Sequence, residues 1–185
     1  MSPMTKHTAS ITLVAAALSA ALAAPAAVQA QSTLAPVTIT ASQTAEANSL
    51  DERAVALYSK PGKWRKAAWM HEEAADRRAI TDARAYHSLI MAGHLYYAAR
   101  DNGLAFEAMA RGAERAAQIG DVVTAANAYV DAGLMAAEAN RGDEILEMAR
   151  HAVALANSPL LSDEQRAAIV KRVGYSEVAA LADAP

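Results

Sequence analysis

Slid against itself by about 39 residues, the sequence meets itself again: Gly103 falls on Gly142, Phe106 on Ile145, Met109-Ala110-Arg111 on Met148-Ala149-Arg150, Ala113 on Ala152, and Ala117 on Ala156. Self-similarity at such a period is the mark of one supersecondary unit copied along the chain, each copy too small to bury its apolar face alone. The stretches before these segments agree less closely, since Ala92-Gly93 meets Ala132-Gly133 at an offset of 40. Extended backwards, the pattern places Gly62, Trp64, Ala68 and Ala75 in comparable roles at an offset nearer 42, with His71 where the later copies have alanine.

The repeating unit is helical. Turn chemistry stands at Ser59-Lys60-Pro61-Gly62, Asp101-Asn102-Gly103, Gly120-Asp121, Arg141-Gly142-Asp143 and Asn157-Ser158-Pro159, and apolar-periodic runs lie between. These predict helices over 50–58, 63–78, 82–100, 104–118, 122–139, 143–156 and 163–181. Ser49-Leu50-Asp51-Glu52 reads as a capping box opening the first helix, and Ser162 with Gln165 as one opening the last. Connections this short make sequential helices pack antiparallel, as hairpins. Of the 185 residues 54% are apolar, much of that alanine, and only 5% are aromatic, so the core must come from close helix contacts rather than large side chains.

Composition also removes several functions. With no cysteine, thiol catalysis, Cys-ligated zinc, iron–sulfur clusters and disulfides are excluded. A net charge of −3 removes the general electrostatic case for nucleic-acid binding. At the N-terminus, Lys6 and His7 precede an uncharged apolar run from Ile11 to Ala24, and Val28-Gln29-Ala30 offers a cleavage site before Gln31. This reads as a secretory signal peptide over 1–30. The run is shorter than the roughly 20 residues needed to span a bilayer, so the mature chain is expected in the periplasm or the medium, with no integral span. Residues 31–48, rich in Ser, Thr, Ala and Pro, read as a flexible linker ahead of a domain over 49–182.

The small residues midway along first helices (Gly93, Gly133), Gly103 and Gly142-Asp143 at hairpin turns, Ala110, Ala113, Ala149 and Ala152 on second helices, and Pro159 closing a repeat resemble the tetratricopeptide-repeat family. The family's 34-residue period and its Trp-Leu-Gly-Tyr string are not reproduced, so the likeness is to a divergent relative. It implies an all-α, right-handed solenoid of about three helix pairs with a C-terminal capping helix. It further implies a concave face of first helices that binds a protein or peptide segment, here one in the cell envelope, without catalysis or cofactor.

Candidate binding residues follow from that placement: His87, Met91 and His94 on one face of a first helix, with Asn127 and Asp131 on a polar flank of the next, free to bond a partner's backbone. Two imidazoles and a thioether also suit copper, which gives the alternative of a small metal-handling or stress-response protein. His87 and His94 are, however, nearly two turns apart on a straight helix, which disfavours one shared ion. Tyr86, Ile90, Gly93 and Tyr97 form an apolar stripe beside them, with Leu89 and Tyr96 adjoining. Lys60, Lys63, Arg65 and Lys66 with Trp64 and Trp69 form a basic–aromatic cluster. It reads either as core tryptophans with solvated lysines or as a patch for an acidic segment or anionic surface. Met70-His71-Glu72-Glu73 lacks the second histidine of a zinc protease, because position 75 is alanine. Glu72, Glu73 and Asp76 with Arg77 and Arg78 read as a solvated face of paired charges. No constellation supports an enzyme, and a homodimer through an uncovered end of the stack stays open.

Overall fold

The computed structural model describes residues 39–182, with side chains as far as Gly174. The expected signal peptide over 1–30 and positions 31–38 of the expected linker lie outside the described residues. Among those described there are seven helices and no strand: α1 (Ala41–Val55), α2 (Trp64–Asp76), α3 (Ala83–Ala98), α4 (Asn102–Gln118), α5 (Val122–Glu138), α6 (Gly142–Ala156) and α7 (Asp163–Ala182). Each packs against the next, and α7 also packs against α5. The chain is an all-α stack of helical hairpins, α1/α2, α3/α4 and α5/α6, closed by α7.

The hairpins repeat because their ends repeat. The N–H of Asp101 donates to the Tyr96 carbonyl at 2.9 Å, that of Asp121 to Ala116 at 3.0 Å, and that of Arg141 to Ala136 at 2.9 Å. These are Schellman closures of α3, α4 and α5. Each needs a left-handed residue just before its donor, and Arg100 (φ 62°), Gly120 (φ 84°) and Asn140 (φ 57°) supply it at 20-residue intervals. Gly103 and Gly142 therefore do not make the hairpin turns expected of them. They fall in the first turns of α4 and α6, and an arginine and an asparagine take the left-handed positions instead.

The start of α1 also differs from expectation. Thr40, not Ser49, caps it: the Gln43 N–H donates to Thr40 Oγ1 at 3.2 Å and the Thr40 N–H to Gln43 Oε1 at 2.8 Å. Residues 41–48 are thus helix rather than linker. Two capping boxes compete here, and the upstream one adds two turns that bury Ala47 completely and carry Asn48 to Arg78. The box predicted at Ser162 and Gln165 forms, with bonds of 2.9 and 3.2 Å.

Inside the stack, Met70, Met109 and Met148 stand 39 residues apart on α2, α4 and α6, and all three are buried. Ala74, Ala113 and Ala152 share that spacing and are wholly inaccessible. The offset of 42 assigned to the first pair is therefore corrected to 39. What recurs is the methionine facing the small residue of its partner helix, Gly93 for Met109 and Gly133 for Met148, and in the same register Ala54 of α1 is fully buried as well. Of the tyrosine stripe, Tyr86 and Tyr96 are core, whereas Tyr97 is exposed.

Candidate functional site

In the common register, the outward positions of the first helices form three rows: Asn48, His87 and Asn127; Glu52, Met91 and Asp131; Val55, His94 and Leu134. The α3 members His87, Met91 and His94 are exposed together, as their spacing requires. The His87 ring lies against Tyr86, with centroids 4.2 Å apart. No group of three or more His, Asp or Glu side chains among the described residues is placed to hold a metal ion.

Asn127 and Asp131 are not free for a partner. Arg172 of α7 donates to Asn127 Oδ1 and to Asp131 Oδ1, both at 2.6 Å, while Asn127 Nδ2 turns back to the Val123 carbonyl. The closing helix therefore occupies the Asn127 and Asp131 positions of the α5 portion of this face, and Leu134 stays exposed. What stays open is the groove between α1 and α3, about 250 Å³ in volume, bordered by Val55, Arg84, His87 and Met91.

Beneath that groove lies a polar network that the sequence reading does not contain. The Asp51 carboxylate of α1 accepts from His71 Nδ1 at 2.6 Å, from Arg78 at 2.6 Å and from the Ser88 hydroxyl at 3.0 and 3.1 Å. Arg78 also donates to Ser88 Oγ at 2.8 Å and to Asn48 Oδ1 at 3.1 Å, and its side chain is only 1% exposed. On its other nitrogen, His71 meets the Tyr58 hydroxyl at 2.5 Å. Because an ionised carboxylate only accepts, Nδ1 carries a proton, and in the neutral ring Nε2 accepts from Tyr58. Burial opposes the charge on Asp51, but the bonds from His71 and Arg78 and the guanidinium charge outweigh it and hold the carboxyl below its usual range. Burial, then the Asp51 charge, pushes the Tyr58 phenol above its ordinary value.

The atom order, hydroxyl to imidazole to carboxylate, is that of a nucleophile relay. Here the same carboxylate is also bonded by Arg78, just past the end of α2, and by Ser88 of α3. The network instead fixes α1 to α2 and α3 and sets the floor of the groove. A sequence signal for it exists. In the 39- to 40-residue register, Asp51 stands where Ile90 and Val130 stand, His71 where Ala110 and Ala149 do, Arg78 where Ala117 and Ala156 do, and Ser88 where Ala128 does. Three polar exceptions to an apolar pattern, Asp51, His71 and Arg78, converge on one point, where Ser88 (Ser49 in the first copy) joins them.

The charges of α2 are likewise not simply solvated. Arg77 pairs with Glu73 one turn away, but Glu72 and Asp76 bind Arg111 across to α4, and Arg78 is buried. In the basic–aromatic cluster, Trp64 is half-buried and donates to the Tyr58 carbonyl at 3.0 Å, Arg65 pairs with Asp101 at 3.2 Å, and Lys60, Lys63 and Lys66 are exposed. Trp69 is not core: 49% of it is exposed. No helix among the described residues is long and apolar enough to cross a membrane.

The fold and this face define an all-α helical repeat stack. No protein-family model, curated protein or solved structure matches the chain.

Proposed function

We propose that this chain is an exported, non-enzymatic adaptor of tetratricopeptide-like build, which binds a protein segment of the cell envelope across the open face of α1 and α3. One observation carries the reading: α7 engages Asn127 and Asp131 on the face of α5, while α1 and α3 present Val55 (55% exposed) and Met91 (37% exposed) beside His87, over a floor of paired polar groups. Exposed apolar side chains flanked by imidazole and set on a rigid floor suit recognition of a peptide, since the floor is already ordered before binding. The apolar run from Ile11 to Ala24 supports export, and the absence of cysteine leaves stability in an oxidising compartment to packing alone.

The test is site-specific photo-crosslinking in cells, with the crosslinker at 87, 91 or 94, and at the exposed Leu146 of α6 as the off-face control. The expected result is one stoichiometric protein captured from the three face positions and not from 146. Only self-crosslinks, or none, would overturn the adaptor reading. Copper titration then separates the alternative: a stoichiometric site lost in His87→Ala would establish metal handling.

A further inference from the structure

A second surface lies on the other helix of the first pair. Along the outward edge of α2, Lys63, Lys66 and Trp69 follow at spacings of three, and they border a cleft of about 550 Å³ whose inner wall is Tyr96 and Leu104. That size is within the range of ligand-binding clefts. An exposed tryptophan over an apolar wall is an uncovered surface of the kind that becomes an anchor at interfaces.

The charge around the cleft is one-sided, although the chain as a whole is acidic. The carboxylates of Asp101, Glu72 and Glu107 are already engaged, Asp101 by Arg65, Glu72 by Arg111 and Tyr96, and Glu107 by Arg141. Lys60, Lys63 and Lys66 have no ion-pair partner among the described residues. Two ammonium groups, Lys63 and Lys66, thus stand uncompensated at the rim of the cleft, with Lys60 just before them in the chain.

We infer that this cleft binds an acidic protein segment, one in which an aromatic or aliphatic side chain is flanked by Asp or Glu. The apolar side chain would stack on Trp69 against Leu104, and the flanking carboxylates would reach Lys63 and Lys66. An apolar surface of Trp69, Tyr96 and Leu104 directly beside two lysines suits a peptide that sets one apolar side chain next to carboxylates, whereas an anionic membrane needs only the charge. The inference does not rest on the α1–α3 groove, which lies on the first helices.

The experiment probes the full chain, fluorescently labelled, with a bead-displayed library of random heptapeptides. The expected result is enrichment of peptides in which acidic residues flank one apolar residue. Their binding should weaken with salt, fall about tenfold or more in Lys63→Glu/Lys66→Glu, and persist in Leu146→Glu. Both lysines are exposed, so the double variant keeps its helical circular dichroism, and Trp69→Ala gives a second loss by removing the anchor. Absence of acidic–apolar enrichment, or enrichment that survives the charge reversal, would overturn the inference. So would lysine-dependent binding to phosphatidylglycerol-rich vesicles without peptide enrichment, which would assign the patch to a membrane.

Discussion

Met109 lies against the bare backbone of Gly93: a Cβ built on that glycine would come within 3.1 Å of the methionine Cβ and Cε and 3.2 Å of the Ala105 carbonyl oxygen. The equivalent position in the next pair is looser, since a Cβ on Gly133 would approach Met148 only to 3.6 Å. One position in two copies of the repeat should therefore respond to the same substitution with opposite sign. Gly93→Ala forces two helices apart and is expected to cost about 1–3 kcal/mol. Gly133→Ala meets ordinary van der Waals contact and gains helix propensity, about 0.5–1 kcal/mol. Urea unfolding of both variants checks this, and a neutral Gly93→Ala would show the contact to be slack.

Asp51 carries the second prediction. Asp51→Ala leaves the buried Arg78 guanidinium without its counter-charge, and a loss of about 3 kcal/mol is expected. Coupling with Arg78→Met should return part of that loss, because the pair is then removed together. The pH dependence follows from the direction of the shift. The folded carboxyl sits below its ordinary 3.8, so the unfolded chain binds more protons between the two values. Stability from this group is complete above the unfolded value and fades as pH falls through the folded one. Acid unfolding of wild type against Asp51→Asn should show a shallower decline in the variant, where Asp82 and Asp121, also held below the ordinary carboxyl value, keep the rest. Parallel curves would remove Asp51 from the acid response.

Much of this fold is legible in local signals because the helices end in local signals. Turn residues near 60, 101, 120, 141 and 158 mark the breaks, and the Ser162 box opens α7 where expected. Local rules failed where two local choices competed, as between Thr40 and Ser49, and tertiary packing chose the longer helix. They failed again at Arg100 and Asn140, where closure of the helix end dictates the backbone conformation even without glycine. The site was less legible than the fold. Asp51, Arg78 and Ser88 are each unremarkable alone, and only the 39-residue register shows Asp51 and Arg78, with His71, as exceptions. Arg172 reaches Asp131 from 41 residues away, a contact that no periodicity encodes.

The left-handed residues at the helix ends permit a third test. Arg100 holds φ at 62° with a full side chain, whereas Gly120 holds 84° with none. Arg100→Gly should stabilise by about 0.5–1 kcal/mol, relief of the Cβ clash outweighing the added freedom of the unfolded chain. Asn140→Gly should gain less, because asparagine tolerates this region, and Gly120→Ala should lose about 1 kcal/mol. Thermal unfolding of the three variants is the measurement. An unstable Arg100→Gly would mean that the arginine side chain, not its backbone, matters at that turn.

Arg172 sets where the open face stops. Its ion pair with Asp131 is partly exposed on both sides, so its removal should cost only about 1 kcal/mol, leaving the unfolding midpoint of the stack nearly unchanged. The local effect should be larger. Arg172→Ala releases the tie between α7 and α5, so α7 amides should exchange faster while those of α3 and α4 hold their protection. Asn127 Oδ1 and Asp131 would then be free to accept from a bound segment. On the adaptor reading, a photo-crosslinker beside them at 134 should begin to capture the same protein that positions 87 and 91 capture in wild type. Faster α7 exchange without that gain would confine the partner to α1 and α3. Unchanged exchange would mean that the buried Ile169 and Val173, rather than the arginine, hold the closing helix in place.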